Sequence, residues 1–264
     1  MLLTLLYGGI VGLSLGLTGG GGSIFAVPLL VYGLGLDFRS AVALSLAVVG
    51  LTSVYGAVLQ ARLGHVLWKA GVVLGLGGIL AAPLGAWIGA QMPQRLSLLL
   101  FAALMTFIGA RMLRRKDTTT EVPLSWMRCQ RQADGHPHFS YSCAGKLLGA
   151  GALSGVLSGI FGVGGGFLIV PSLLFVACVS IERALATSLV GISLIAASGF
   201  AANASNLTPG SGTIALWFLA GSAAGMTAGI WSKSLLSAPV LNKIFGLSVL
   251  GVAAFVVFKN LTQS

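Results

Sequence analysis

The chain reads as an all-α polytopic membrane protein made of two sequence repeats of one helical unit. Three observations predict this. Of 264 residues, 56% are hydrophobic and 8% charged, with a mean hydropathy of +0.98, which leaves too little polar surface to cover a soluble globule. The stretch GLTGGGGSIFAVPLL at residues 16–30 returns as GIFGVGGGFLIVPSLL at 159–174, at a constant offset of 143. Without a gap, Gly8 to Gly56 against Gly151 to Gly199 gives 15 identities in 49 positions, where composition alone predicts about 5. In each copy a glycine run interrupts an apolar segment and Pro28 or Pro171 follows, the pattern of a discontinuous membrane helix.

Taken in order, the first unit (1–113) opens with a short apolar segment at 2–17. No basic residue precedes it and the same unit recurs internally, so it is expected to belong to the mature protein and not to a signal peptide. After the glycines comes a second short segment, 23–36, then three longer ones near 40–60, 66–89 and 95–113. Residues 114–143 are polar, carry Pro123 and Pro137 and show no periodicity, so they are read as a cytoplasmic linker loop. The second unit (144–264) repeats the plan near 144–160, 167–179, 184–203, 213–232 and 241–258.

The short pair decides the symmetry. Sixteen and fourteen helical residues reach about 24 and 21 Å, less than the roughly 30 Å hydrocarbon core. If the pair turns back at the glycines, each unit has an odd number of passes and the two units are inverted. Only Arg39, Arg95 and Lys259 then lie outside, leaving 12 of the 15 Lys and Arg inside; a parallel arrangement divides them 10 against 5. The positive-inside rule favours inversion. Two hairpins from opposite faces would meet near the bilayer midplane, where irregular backbone is tolerated only around protein or a cavity.

That junction is the expected substrate site. A helix restarts after each run, at Ser23 or Gly166, and its free N–H groups with the positive dipole end attract anions without a charged side chain. The candidate residues are Gly19, Gly21, Gly22 and Ser23 in the first copy and Gly162, Gly164, Gly165 and Gly166 in the second. Ser45 and Ser188 form a further matched pair, one turn after Ala41 and Ala184; interhelical hydrogen bonding and direct anion contact both fit them. Thr52, Gln60 and Asn203 are further polar residues for the path. By contrast Gly8, Gly12 and Gly16, with Gly151, Gly155 and Gly159, recur at every fourth position and read as a helix-packing face. Pro28 and Pro171 shape the second half-helix.

The acidic residues narrow the cargo. All five lie outside the spans: Asp117, Glu121 and Asp134 in the linker, Asp37 and Glu182 at segment ends. Cation pumps and proton relays use intramembrane carboxylates, so the pattern argues against a cation. Asp37 and Glu182, near Arg39 and Arg183, read as exposed interfacial pairs. The net charge of +10 is spread over segment ends and one loop, with no basic stripe for nucleic acid. Cys129, Cys143 and Cys178 imply no disulfide framework, Cys129, His136, His138 and Cys143 fit no zinc spacing, and His65 reads as a surface histidine, so no metal or cofactor is expected. No catalytic motif is present and no enzyme is implied.

GLTGGGGSIFAVPLL with RSAVALSLA, and GIFGVGGGFLIVPSLL with ERALATSLV, resemble the duplicated motif of the sulfite exporter TauE/SafE family over nearly the whole chain. The resemblance implies a permease for sulfur-containing anions such as sulfite, sulfoacetate or thiosulfate in a prokaryotic plasma membrane. Ser23 stands where the second copy has Gly166, and Val163 stands opposite Gly20, so the half-sites are unequal. The expectation is export of a small sulfur oxyanion or organosulfonate, driven by about 2.3 kcal/mol per charge at 100 mV. An anion-selective channel and a non-transporting scaffold subunit are the alternatives, and the sequence leaves a homo-oligomer open.

Overall fold

The computed structural model describes residues 1–114, 141–175, 179–207, 211–232, 247, 249–256 and 258–259. Among the described residues there are helices and no strand. α1 (Leu2–Thr18) leads into a short helix, Gly21–Gly33, whose first turn is 3-10 wound, whose middle is α2 (Ala26–Pro28) and whose last turn, Leu29–Gly33, is π-wound. Pro28 has no N–H for the helix ladder, and the winding widens immediately after it. Then come α3 (Phe38–Arg62), α4 (Trp68–Gln91), α5 (Gln94–Arg114), α6 (Tyr141–Phe161), α7 (Gly166–Phe175), α8 (Ile181–Asn203) and α9 (Ser211–Ser232). The expected linker falls largely outside the described residues, as do Cys129, His136, His138 and Cys178, while the last expected segment is described over 247, 249–256 and 258 and is helical there.

Five of these helices, α3, α4, α6, α8 and α9, are long and apolar enough to cross a membrane. At 1.5 Å per residue α3 reaches about 38 Å, whereas the ten residues of α7 reach about 15 Å, half the hydrocarbon core. Leu2, Leu80, Leu84, Trp68, Trp87 and Trp231 point outward and are more than half exposed, as an outer face solvated by lipid requires. No charged side chain is buried among the described residues; the buried polar ones are hydroxyls and amides.

α3 and α8 are the most enclosed of the five spans, and they meet where Gly50 of one faces Ala196 of the other. The outer pairs join opposite halves of the sequence. A Cβ at Gly8, Gly12 or Gly16 of α1 would overlap the backbone of Phe218, Ser222 or Met226 in α9, and one at Gly151, Gly155 or Gly159 of α6 would overlap Leu74, Gly78 or Ala82 in α4. Both numberings rise together, so each pair runs parallel. The spacing of four that marks these glycines is what lets the backbones touch.

Each short helix doubles back on the one before it. Gly22 rests on Ser14 and Leu15, while Gly33 rests on the ring of Tyr7 nearer the start of α1, so the two legs are antiparallel. Gly165 likewise rests on Ser154 of α6. α1 ends on Gly19, which is left-handed and donates its N–H to Leu15 O at 2.7 Å, and α6 ends on Gly162, which donates to Ser158 O at 2.8 Å. At the other end of the first hairpin Asp37 caps α3, its carboxylate accepting the Arg39 N–H at 3.1 Å.

The α4–α6 contact gives a direct test. Gly155→Leu forces a side chain into the Gly78 carbonyl and is expected to cost at least the roughly 1–3 kcal/mol of an overpacked core, lowering the thermal midpoint and broadening the gel-filtration peak. Gly149→Leu, where an added Cβ meets nothing within 4 Å, leaves both measurements unchanged.

Candidate functional site

The two chain breaks touch at the centre of the bundle. A Cβ on Gly20 would stand 2.8 Å from the Gly166 Cα, and one on Gly166 would stand 2.6 Å from the Gly20 Cα and O. Gly19, Gly20, Gly162, Gly164 and Gly165 have φ of 67°, 150°, 70°, 67° and 68°, a region that side chains with a Cβ rarely adopt. Gly21, Gly22 and Gly166 are not left-handed; at Gly22 the requirement is space, since Ser14 and Leu15 leave no room for a Cβ.

Each break is held by a serine from the other half of the sequence. Ser45 Oγ donates to Gly162 O at 2.7 Å and to Val42 O at 2.8 Å. Ser188 Oγ donates to Gly19 O and, at 2.8 Å, to Leu185 O. Both serines are fully buried. Their protons go to carbonyls, so in this conformation they tie helix to break and leave only lone pairs free. Ser23 Oγ does the same locally, donating to Gly20 O at 2.7 Å.

The N–H groups at the helix starts differ between the copies. The Gly22 N–H donates to Thr18 Oγ1 at 3.1 Å, and Thr18 in turn donates to Ser14 O at 2.6 Å. The matched residue is Phe161, whose side chain has no acceptor to offer Gly165. In α7 the first N–H groups returned to the chain are those of Leu168 and Ile169, both to Gly165 O. The second break therefore keeps the freer set of donors. Two buried hydroxyls, Ser53 Oγ and Ser158 Oγ, have no hydrogen-bond partner. Ser158 sits one helical turn before Gly162, whose N–H its carbonyl accepts, and Ser53 one turn along α3 from Val49, whose side chain touches Gly164.

Apolar side chains close the junction. Ile192 reaches both Gly20 and Gly166 and, with Val49, flanks Gly164; Val49 and Ile192 are themselves 143 residues apart. No group of three or more His, Cys, Asp or Glu able to hold a metal ion occurs among the described residues. Cys143 is disulfide-bonded, which the cysteine spacing did not foretell; its partner lies outside the described residues.

The family model for the sulfite exporter TauE/SafE matches residues 4–256. The chain belongs to the TauE/SafE family. A probable membrane transporter protein of Xylella fastidiosa is 35% identical over 266 residues, covering 98% of this chain and 96% of that protein. Probable membrane transporter proteins of Bacillus subtilis and Haemophilus influenzae are 28% and 29% identical, over 72% and 73% of this chain and 73% and 71% of theirs. No solved structure matches. The chain is thus a multi-pass membrane transporter of the TauE/SafE family.

Within this TauE/SafE chain the other expected polar residues sit apart from the breaks. Thr52 donates to Ser222 Oγ at 3.0 Å, Gln60 Oε1 is 3.5 Å from His65 Nδ1, and Asn203 Nδ2 donates to Gly199 O at 2.9 Å. In place of an ion pair with Asp37, Arg39 sends Nη2 to Ala90 O at 2.7 Å. Sequence reasoning missed Gly20, Thr18 and Ile192. Gly20 and Thr18 stood inside the glycine motif and carried a signal, respectively the run itself and a capping residue four positions before Gly22; an isoleucine in an apolar helix carried none.

Removing either reciprocal bond has a defined cost. Ser45→Ala and Ser188→Ala are each expected to lower stability by about 1 kcal/mol, measured by denaturant titration in detergent, with the double variant departing from the sum because the two breaks are in contact.

Proposed function

We propose that this transporter exports small sulfur-containing anions, sulfite or organosulfonates, and that the cargo is bound where the two glycine breaks meet. The carrying observation is the contact of Gly20 with Gly166 at the middle of the bundle, between helix starts whose N–H groups and positive dipole ends favour an anion. Gly19, Gly21, Gly22 and Ser23 would form one half-site and Gly162, Gly164, Gly165 and Gly166 the other, with Ser45 and Ser188 holding their carbonyls away from the ligand. Ser53 and Ser158, each with a proton that no acceptor takes up, supply further donors beside the second half.

The matched contacts at an offset of 143 support two inverted repeats, 1–113 and 144–264, joined by the 114–143 loop. Hairpins from opposite ends, a central α3–α8 crossing and the exchange of α1 and α6 between halves are the parts an alternating-access mechanism uses. In this conformation Ile192 and Val49 fill the junction, so passage requires the halves to move apart. That favours a carrier over an open channel. The relatives are named as membrane transporters, and the family model as a sulfite exporter, which supports a small oxyanion as cargo and a bacterial plasma membrane as the site of action.

The test is efflux of labelled sulfite from proteoliposomes, with membrane potential and pH gradient imposed separately. Saturable flux driven by potential alone is expected; a requirement for the pH gradient would overturn uncoupled export, and no flux of sulfite or sulfonates would overturn the cargo. Gly165→Leu, blocked both by φ and by Ser154, should abolish flux. Ser158→Ala removes a buried hydroxyl that has no partner, so stability stays level or rises while the half-saturating sulfite concentration rises several-fold; unchanged transport would remove Ser158 from the site.

A further inference from the structure

A partly open pocket lies at the end of the bundle where α3 begins and α4, α6 and α8 finish. Arg39, Val42, Ala90, Gly159, Asn203 and Asn206 line it, together with neighbouring apolar groups and no carboxylate. The pocket is rich in unspent donors. Arg39 has five N–H groups, of which the bond to Ala90 O uses one; Asn203 spends one amide proton on Gly199 O and Asn206 one on Asn203 Oδ1, at 3.4 Å. The Arg39–Ala90 bond joins residues 51 apart and fixes the guanidinium at the rim. Asp37, the nearest carboxylate in sequence, is not part of the lining and is engaged with the Arg39 backbone N–H. At the floor Val42 packs directly on Gly162, so one side chain separates the pocket from the second break.

The repeat does not preserve the charge of this position. At the offset of 143 the counterpart of Arg39 is Glu182 and that of Asn203 is Gln60. Arg39 sits beside the last residues of α8 and Glu182 lies in its first turn, about 34 Å away along the helix.

We propose that this pocket is a vestibular anion site, in which Arg39, assisted by the Asn203 and Asn206 amides, holds a small sulfonate or sulfite-like oxyanion on its way to or from Gly162. The planar guanidinium suits an oxyanion through paired N–H donors. The inference rests on the anion reading above only for the identity of the cargo.

The full chain serves for the test, with sulfite as probe, by calorimetric titration in detergent and by flux in proteoliposomes. Arg39→Gln keeps an N–H donor for Ala90 O but removes the charge; half-saturating sulfite should rise about tenfold in both measurements, with maximal flux within about twofold of the parent. Arg39→Lys, which keeps the charge, should stay within about threefold. Added inert salt should weaken the parent more than Arg39→Gln. A half-saturation unchanged in Arg39→Gln, or a fall in maximal flux alone, would show Arg39 to be a structural tie between α3 and α4 and would overturn the site. Arg39-dependent binding without flux would leave the vestibule standing and remove the export reading; flux indifferent to Arg39 would do the reverse, and neither binding nor flux removes both.

Discussion

Backbone that leaves a helix inside a bilayer must find partners within the protein, because lipid offers none. Everything distinctive in this molecule follows from meeting that demand at two breaks. The Gly19 carbonyl is taken by Ser188 and the Gly162 carbonyl by Ser45, each serine belonging to the half of the chain that the break does not. Neither break is complete alone. The serines must therefore approach the breaks closely, which requires the bare backbone of Gly19 against Leu185 and of Gly162 against Val42, and that in turn fixes α3 and α8 as the central crossing.

The exchange of α1 onto α9 and of α6 onto α4 continues the same logic. A hairpin whose tip is held by the other half carries its leading helix into that half as well, and the every-fourth glycines on α1 and α6 provide a flat backbone face to lie on it. The result is two interlocked halves in place of two globules in a row. In such an assembly relative motion of the halves acts first on the junction, where the contacts are a few hydroxyl-to-carbonyl bonds and the packing of Ile192 and Val49 on glycine. The outer helix pairs are backbone-tight. The soft place and the proposed binding place coincide.

Much of this was legible in the sequence, and for physical reasons. Membrane class followed from composition, since nothing else tolerates so little charge. The helix positions followed from hydropathy, and the breaks from glycine runs that no helix would keep for stability. What stayed hidden was everything set by contacts between residues far apart in the chain: that Gly8 lies on Phe218, that Ser45 reaches Gly162, that Arg39 crosses to Ala90. A repeat tells which residues are equivalent, but equivalence does not say whether a helix packs on its own unit or on the other. Glycine spacing announced a close contact without naming the partner. The Thr18 cap and its absence at Phe161 were visible as a difference between copies, yet only the geometry gave that difference a meaning for the Gly22 and Gly165 N–H groups.

The lack of buried charge among the described residues bears on how an anion is carried. A lysine or arginine at the midplane would bind the cargo strongly but would itself be costly to bury and, once the cargo left, would remain as an unpaired cation in a medium of low dielectric. Backbone N–H groups and hydroxyls are neutral whether occupied or empty. In the proposed site they would favour the anion through dipoles already in place, so that release leaves no charge to resolve and the empty carrier resets without a counter-ion. The Arg39 charge at the rim of the proposed vestibule stays hydrated while remaining within reach of an incoming anion. On the proposed export reading, the membrane potential acts on the charge of the cargo alone and supplies the direction.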